Sequence, residues 1–210
     1  NLDALQTLVD RDGDGADDRI VTVTRLGAGT TTSLVPYFER GADRVLAVTT
    51  DGTESTLHVI AFDSLDPSRT SVLNAFPLRT DFARGLEVVN KSIVLGMGRE
   101  GIGFVDGHLQ NKLYLVNQFA LSSDKPVLDV AALPVAPGQP SRYVVVAGEY
   151  ELGSQTLTDS EAVGAGGFHI VEVSASDGIT EIASLDIPAS RVRIDDNIAY
   201  LAAGNGGLIL

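Results

Sequence analysis

The sequence predicts an all-β chain built from repeated four-stranded units. Apolar residues at helical spacing are scarce, whereas short alternating or β-branched runs, separated by Gly, Asp, Ser and Pro, recur from residue 19 to the end. Pairs of apolar strands joined by Gly- or Asp-containing turns also recur. They read "ADRVLAVTTDGTESTLHVIAFD" (42–63), "NKSIVLGMGREGIGFVD" (90–106), "SRYVVVAGEY" followed later by "GGFHIVEVS", and "DNIAYLAAGNGGLIL" (196–210). Placing Leu57, Ile102, Phe168 and Leu208 at one common position gives spacings of 45, 66 and 40 residues. A unit of roughly 40–50 residues with four strands is the signature of propeller blades. The expected fold is therefore a β-propeller of four-stranded antiparallel blades, about four in this chain.

Near its start the chain carries "LVDRDGDGADDRIV" (8–21), with five aspartates and two glycines packed within nine residues. On the calcium-loop pattern D-x-D-x-D-G-x-x-D, Asp10, Asp12 and Asp14 fall at alternating ligand positions. Gly15 permits the sharp turn, the Ala16 carbonyl can face inward, and Asp18 supplies the ninth-position ligand. A hard cation prefers many oxygens at about 2.3–2.6 Å, and alternate residues of a tight loop can aim at one centre. Val21 stands where an EF-hand has a bidentate Glu, and "IVTVTRL" continues as a strand, not a helix. Residues 1–18 are thus expected to form a calcium-binding loop whose ion is structural, the alternative being an acidic, solvated turn.

After this loop, "RIVTVTRL" (19–26) has strand character and the spacing of a ring-closing outer strand. The first strands of the four units are expected at 33–39, 85–90, 127–133 and 191–195, and outer strands at 71–78, 112–121 and 180–187. The units then cover approximately 33–80, 83–121, 127–187 and 190–210, the last lacking an outer strand. Two arrangements satisfy this pattern, a compact four-bladed ring and an arc cut from a longer propeller, and an end in mid-blade favours the arc. With Asn1 at its start, the chain is expected to be a processed or excised piece.

The segments "GIGFVD", "GGFHIVEVS" and "AYLAAGNGGLIL" resemble the LVIVD-type repeat. The resemblance covers most of residues 83–210 and is weaker over 33–80. It implies a β-propeller on a secreted or cell-surface bacterial or archaeal protein, and it implies no enzymatic activity. The first unit departs from the pattern by lacking paired glycines, and the third carries an extra segment at 149–166. The aspartate loop resembles the strand-flanked calcium loops of integrin-type propeller repeats and of pilus-associated surface propellers.

Composition narrows the function classes. With 28 acidic against 15 basic residues the formal charge is -13, a field that repels phosphate backbones and anionic lipid heads and concentrates cations. Nucleic acid is not an expected partner. The absence of cysteine excludes disulfides, thiolate catalysis and cysteine-ligated clusters. No apolar run reaches the length of a membrane span.

The polar insertion "EYELGSQTLTDSEAVGAGG" (149–167), with Glu149, Glu151, Asp159 and Glu161, is the candidate recognition surface, since long loops on rigid scaffolds tend to bear binding sites. The partner would be a protein or glycan, or a neighbouring subunit of an extracellular assembly. His58 and His169 share one register in "TLHVIAF" and "GFHIVEV" and are tested as a converging pair. Separate blades would normally hold them apart. His108 reads as an exposed loop residue, and "NKS" at 90–92 as a turn that meets the glycosylation pattern. "GAGTTTS" (27–33) and "GREGIG" (98–103) precede no helix and read as β turns. The expected function is a non-catalytic extracellular binding or structural module. The rival reading is a calcium-dependent hydrolase or lyase with its active site in a propeller channel.

Overall fold

A computed structural model describes residues 26–27, 29–39, 42–61, 70–89, 92–106, 113–123, 125–148, 167–174, 178–187, 189–203 and 206–210. These residues form four antiparallel sheets and almost no helix. Each sheet is a meander, with neighbours in space that are also neighbours in sequence. The first contains β1 (Thr30–Glu39), β2 (Ala42–Thr50), β3 (Ser55–Ala61) and β4 (Ser71–Pro77). The second contains β5 (Arg84–Val89), β6 (Ser92–Gly96), β7 (Ile102–Asp106) and β8 (Tyr114–Phe119). The third contains β9 (Val127–Leu133), β10 (Ser141–Ala147), β11 (Gly167–Ser174) and β12 (Gly178–Leu185). The fourth has three strands, β13 (Arg191–Asp195), β14 (Ile198–Ala202) and β15 (Leu208–Ile209).

Within the described residues, each strand run read from the sequence between residues 33 and 210 overlaps a strand. The ring-closing strand placed at 19–26 lies outside the described residues except for Leu26, which is not in a strand.

Turn chemistry explains the hairpins. In the β2–β3 turn, Asp51 Oδ1 accepts from the Thr53 N–H at 2.8 Å, the Thr53 hydroxyl at 2.7 Å and the Glu54 N–H at 2.9 Å. The Thr53 hydroxyl and these backbone donors favour the carboxylate and bring its pKa down to about 2. The "GREGIG" segment turns as read, with Glu100 N–H donating to Met97 O at 3.0 Å.

The sheets stack in chain order around three apolar layers. Leu46, Val48, Leu57 and Val59 of the first sheet meet Ile93, Leu95 and Val105 of the second. Val94, Ile102 and Phe104, from the opposite face of the second, meet Tyr143, Val145 and Val171 of the third. The Phe104 and Tyr143 rings cross edge to face, centroids 5.7 Å apart, a pairing worth about 1 kcal/mol beyond its burial. Val146 and Phe168 meet Leu201, Val192 and Ile209 of the fourth. Central strands such as β6 and β10 therefore bury both faces, which is why they read as unbroken apolar runs. β13 leaves one side open and alternates.

Connections between sheets are pinned on both sides. Between β4 and β5, the Leu78 N–H donates to Ser55 O at 2.8 Å, the Thr50 hydroxyl to Asp81 O at 2.7 Å and the Thr80 hydroxyl to Met97 O at 3.1 Å. Between β8 and β9, the Ser122 N–H and hydroxyl donate to Glu181 on β12 at 2.9 and 2.8 Å. As a result the first strands lie side by side in sequence, β1 against β5, β5 against β9 and β9 against β13.

Candidate functional site

Most positions singled out from the sequence lie outside the described residues: Asp10, Asp12, Asp14, Ala16 and Asp18, then Glu149, Glu151, Asp159 and Glu161, with His108 and Asn90. Among the described residues no group of three His, Asp or Glu side chains could hold a metal ion. No described helix is long and apolar enough to cross a membrane.

The two histidines are described, and they do not converge. His58 on β3 pairs with Ala47, on the face of the first sheet turned away from the second, while His169 on β11 pairs with Val145 on the face turned toward the second. The second sheet stands between them. Both are buried. His58 Nε2 and the Thr49 hydroxyl share a hydrogen bond at 2.9 Å, and burial pushes the imidazole pKa down. His169 Nδ1 donates to Glu181 Oε1 at 2.9 Å, with Gly167 leaving room for the ring, since a Cβ there would stand 2.5 Å from His169 Nε2. One ring nitrogen of each, His58 Nδ1 and His169 Nε2, is buried without a hydrogen-bond partner. These are packing positions.

The structure brings together instead the charged residues of the first strands. Arg84 heads β5 and Arg191 heads β13, while Asp129 is the third residue of β9 between them. Asp129 is 8% exposed. Its Oδ2 accepts the Val192 N–H at 3.0 Å, and its Oδ1 lies 3.9 Å from Arg191 Nη1, an ion pair without a hydrogen bond. The same edge is tied further along, where the Gly85 N–H donates to Ser33 Oγ at 2.9 Å and the Thr32 hydroxyl to Ala83 O at 2.6 Å.

Gly85 makes this convergence possible. Its φ is +68°, and an added Cβ would stand 2.6 Å from the Asp129 Cα, from Asp129 Oδ1 and from the Val130 nitrogen. It occupies a bulge in β5 opposite the step from Gly96 to Leu95, a setting in which glycine lets one backbone approach another closely.

The first strands also influence one another electrostatically. Burial, then the like charge of Arg191, pushes the Arg84 guanidinium pKa down, and Asp129 opposes them. Burial pushes the Asp129 carboxyl up, against the Val192 N–H, Arg191, the Val130 N–H and Arg84. Glu87, also on β5, is pushed up by burial and by Asp129, while Arg193 on β13 pulls it down. Arg191 and Asp129 thus form an ion pair that Arg84 senses from β5, in a chain of net charge -13.

Sequence reading located "RGLEVV", "VLDVAAL" and "RVRID" as first strands but did not single out their charges. The available signal was a charged residue interrupting an apolar run. The chain matches no known protein-family model and no curated protein.

Proposed function

We propose that the chain is an arc of β-propeller blades, acting as a non-catalytic binding or architectural module of a secreted or surface-displayed protein. The observation that supports this reading is the lateral succession of first strands, β1 on β5, β5 on β9 and β9 on β13. Sheets that turn their first strands to one another in chain order radiate from a common axis, as blades do. Among the described residues β13 makes no comparable contact with β1. Leu34, Ile198 and Leu208 are exposed on the outer faces of the two end sheets. Both facts favour an arc continued by further blades over a closed ring of four.

Calcium in the 10–18 loop is the structural ion of this reading, supported by the ligand spacing of Asp10, Asp12, Asp14, Ala16 and Asp18. Recognition belongs to the 149–166 segment, a long polar insertion between two strands of a sheet packed on both faces. The test is to replace residues 150–166 by a short Gly-Ser linker and compare binding of the labelled protein to arrayed extracellular glycans and surface proteins. Loss of association at an unchanged melting temperature is expected, whereas association that survives the deletion removes the recognition role of this segment.

A further inference from the structure

We propose that residues 1–25 lie across the face of the first sheet that is turned away from the second, and cap it. The inference goes beyond the binding reading above and is independent of the role of residues 149–166. Its basis is a burial that the described residues leave unexplained. On that face the register sets Leu34 of β1, Ala47 of β2, His58 of β3 and Ala75 of β4 in one cross-strand row. The ends of the row are open, with Leu34 61% exposed and Ala75 also exposed, while Ala47 is 0% and His58 5% exposed. The neighbouring rows repeat the pattern. Pro36 and Val72 are exposed at the ends of the row that holds buried Ile60, and Thr31 and Pro77 at the ends of the row that holds buried Thr49. Side chains at the centre of a sheet face stand roughly perpendicular to it, so their own strands cannot seal them and a further layer must. The described apolar layers join the first sheet only to the second, on its other face, and the burial is that of the chain by itself. The cover therefore comes from residues of this chain outside the described ones.

Reach and composition select the occupant. The sealed strip is two strands wide, about 10 Å, and runs about 13 Å from the Ile60 row to the Thr49 row. Residues 62–69 join β3 to β4 at the Ile60 end, and eight residues span at most about 28 Å, short of a trip to the Thr49 row and back. Residues 149–166 leave and rejoin the third sheet, on the far side of the second. Residues 1–25 lead into β1 beside the Thr49 row and carry Leu2, Leu5, Leu8, Ile20, Val21 and Val23. An apolar cover also accords with His58 Nδ1, which is buried with no hydrogen-bond partner. A capped first sheet leaves the fourth, where Ile198 and Leu208 are exposed, as the side on which further blades would stack.

The absence of cysteine allows single thiols to report on this face in the full chain. A nitroxide on Ala75→Cys, at an open end of the central row, is expected to broaden amide signals within residues 1–25. The same label on Ile182→Cys, on β12 of the third sheet, should leave those signals sharp. Broadening confined to residues 62–69 or 149–166, or none within 1–25, overturns the proposal. In a second measurement, Ala47→Cys should react with a thiol reagent at least tenfold more slowly than Ala75→Cys, and removal of residues 1–25 should bring the two rates together. Protection of Ala47→Cys that persists in a folded truncated chain also overturns the proposal, and if truncation prevents folding the nitroxide result on the full chain decides. Either failure leaves the 149–166 reading standing, because that reading is measured by partner association.

Discussion

The Asp129 carboxylate on β9 accepts the backbone N–H of Val192 on β13, 3.0 Å away and 63 positions along the chain. One side chain thus stitches the third sheet to the fourth at their first strands. Because burial pushes the Asp129 pKa up despite that bond, the acceptor atom contributes more to stability than the charge.

The consequence is a contrast between two substitutions. Asp129→Ala strands the Val192 N–H and is expected to cost about 2 kcal/mol in urea unfolding, the penalty of a buried donor without a partner. Asp129→Asn keeps an acceptor and removes a poorly solvated charge, so its cost is expected to be below about 1 kcal/mol. Equal losses in the two variants would assign the link to the charge instead.

Gly85→Ala is expected to be among the most damaging single-methyl changes in the molecule. The positive φ of +68° and the 2.6 Å approach to backbone atoms of Asp129 and Val130 act together. Left-handed strain and overpacking each contribute, on the order of 3 kcal/mol in sum. Thermal unfolding of the variant beside Gly138→Ala, whose added methyl meets open space at a similarly positive φ of +84°, separates the two contributions.

Glu181 predicts a pH dependence. Burial raises its carboxyl pKa, but the Ser122 N–H, the His169 side chain and the Ser122 hydroxyl outweigh burial and hold it below the ordinary glutamate value of 4.5. A depressed folded pKa stabilises the native state fully above 4.5, and this is lost as pH falls through the folded value. Glu181→Gln should therefore cost about 1–3 kcal/mol at pH 7, and the deficit should shrink as the urea titration is repeated toward strongly acid pH. A deficit independent of pH would mean that shape, and not charge, holds the β8–β9 connection to β12.

Removal of metal checks the proposed calcium loop. Chelation should lower the melting temperature of the full chain, with recovery on adding calcium, and Asp12→Asn/Asp14→Asn should abolish both effects. A melting curve indifferent to chelator removes calcium from the molecule's account.

The individual strands were legible locally because each is a short apolar run ended by a turn residue. Asp51-Gly52 between β2 and β3 shows the rule, since the Asp side chain closes its own turn and needs nothing from the rest of the chain. The four-unit spacing was legible for a similar reason: a meander pairs sequence neighbours, so order in space repeats order along the chain. The two histidines show where this reasoning ends. Equal register placed His58 and His169 on equivalent faces, but equivalent faces of separate sheets point in the same direction and not at each other.

The pairing of Asp129 with Arg191 and the close approach of Gly85 needed the tertiary structure. These residues span more than a hundred positions, and no local pattern says that β9 lies between β5 and β13 or that Gly85 lets the first two close to contact. By itself the sequence determined the all-β class and the strand runs, because alternation and turn chemistry are short-range properties of a few neighbouring residues. Only the packing of sheet on sheet decided which charges meet. That choice depends on buried apolar layers contributed by strands far apart in sequence, and on the few backbone positions, Gly85 first among them, where two strands can touch.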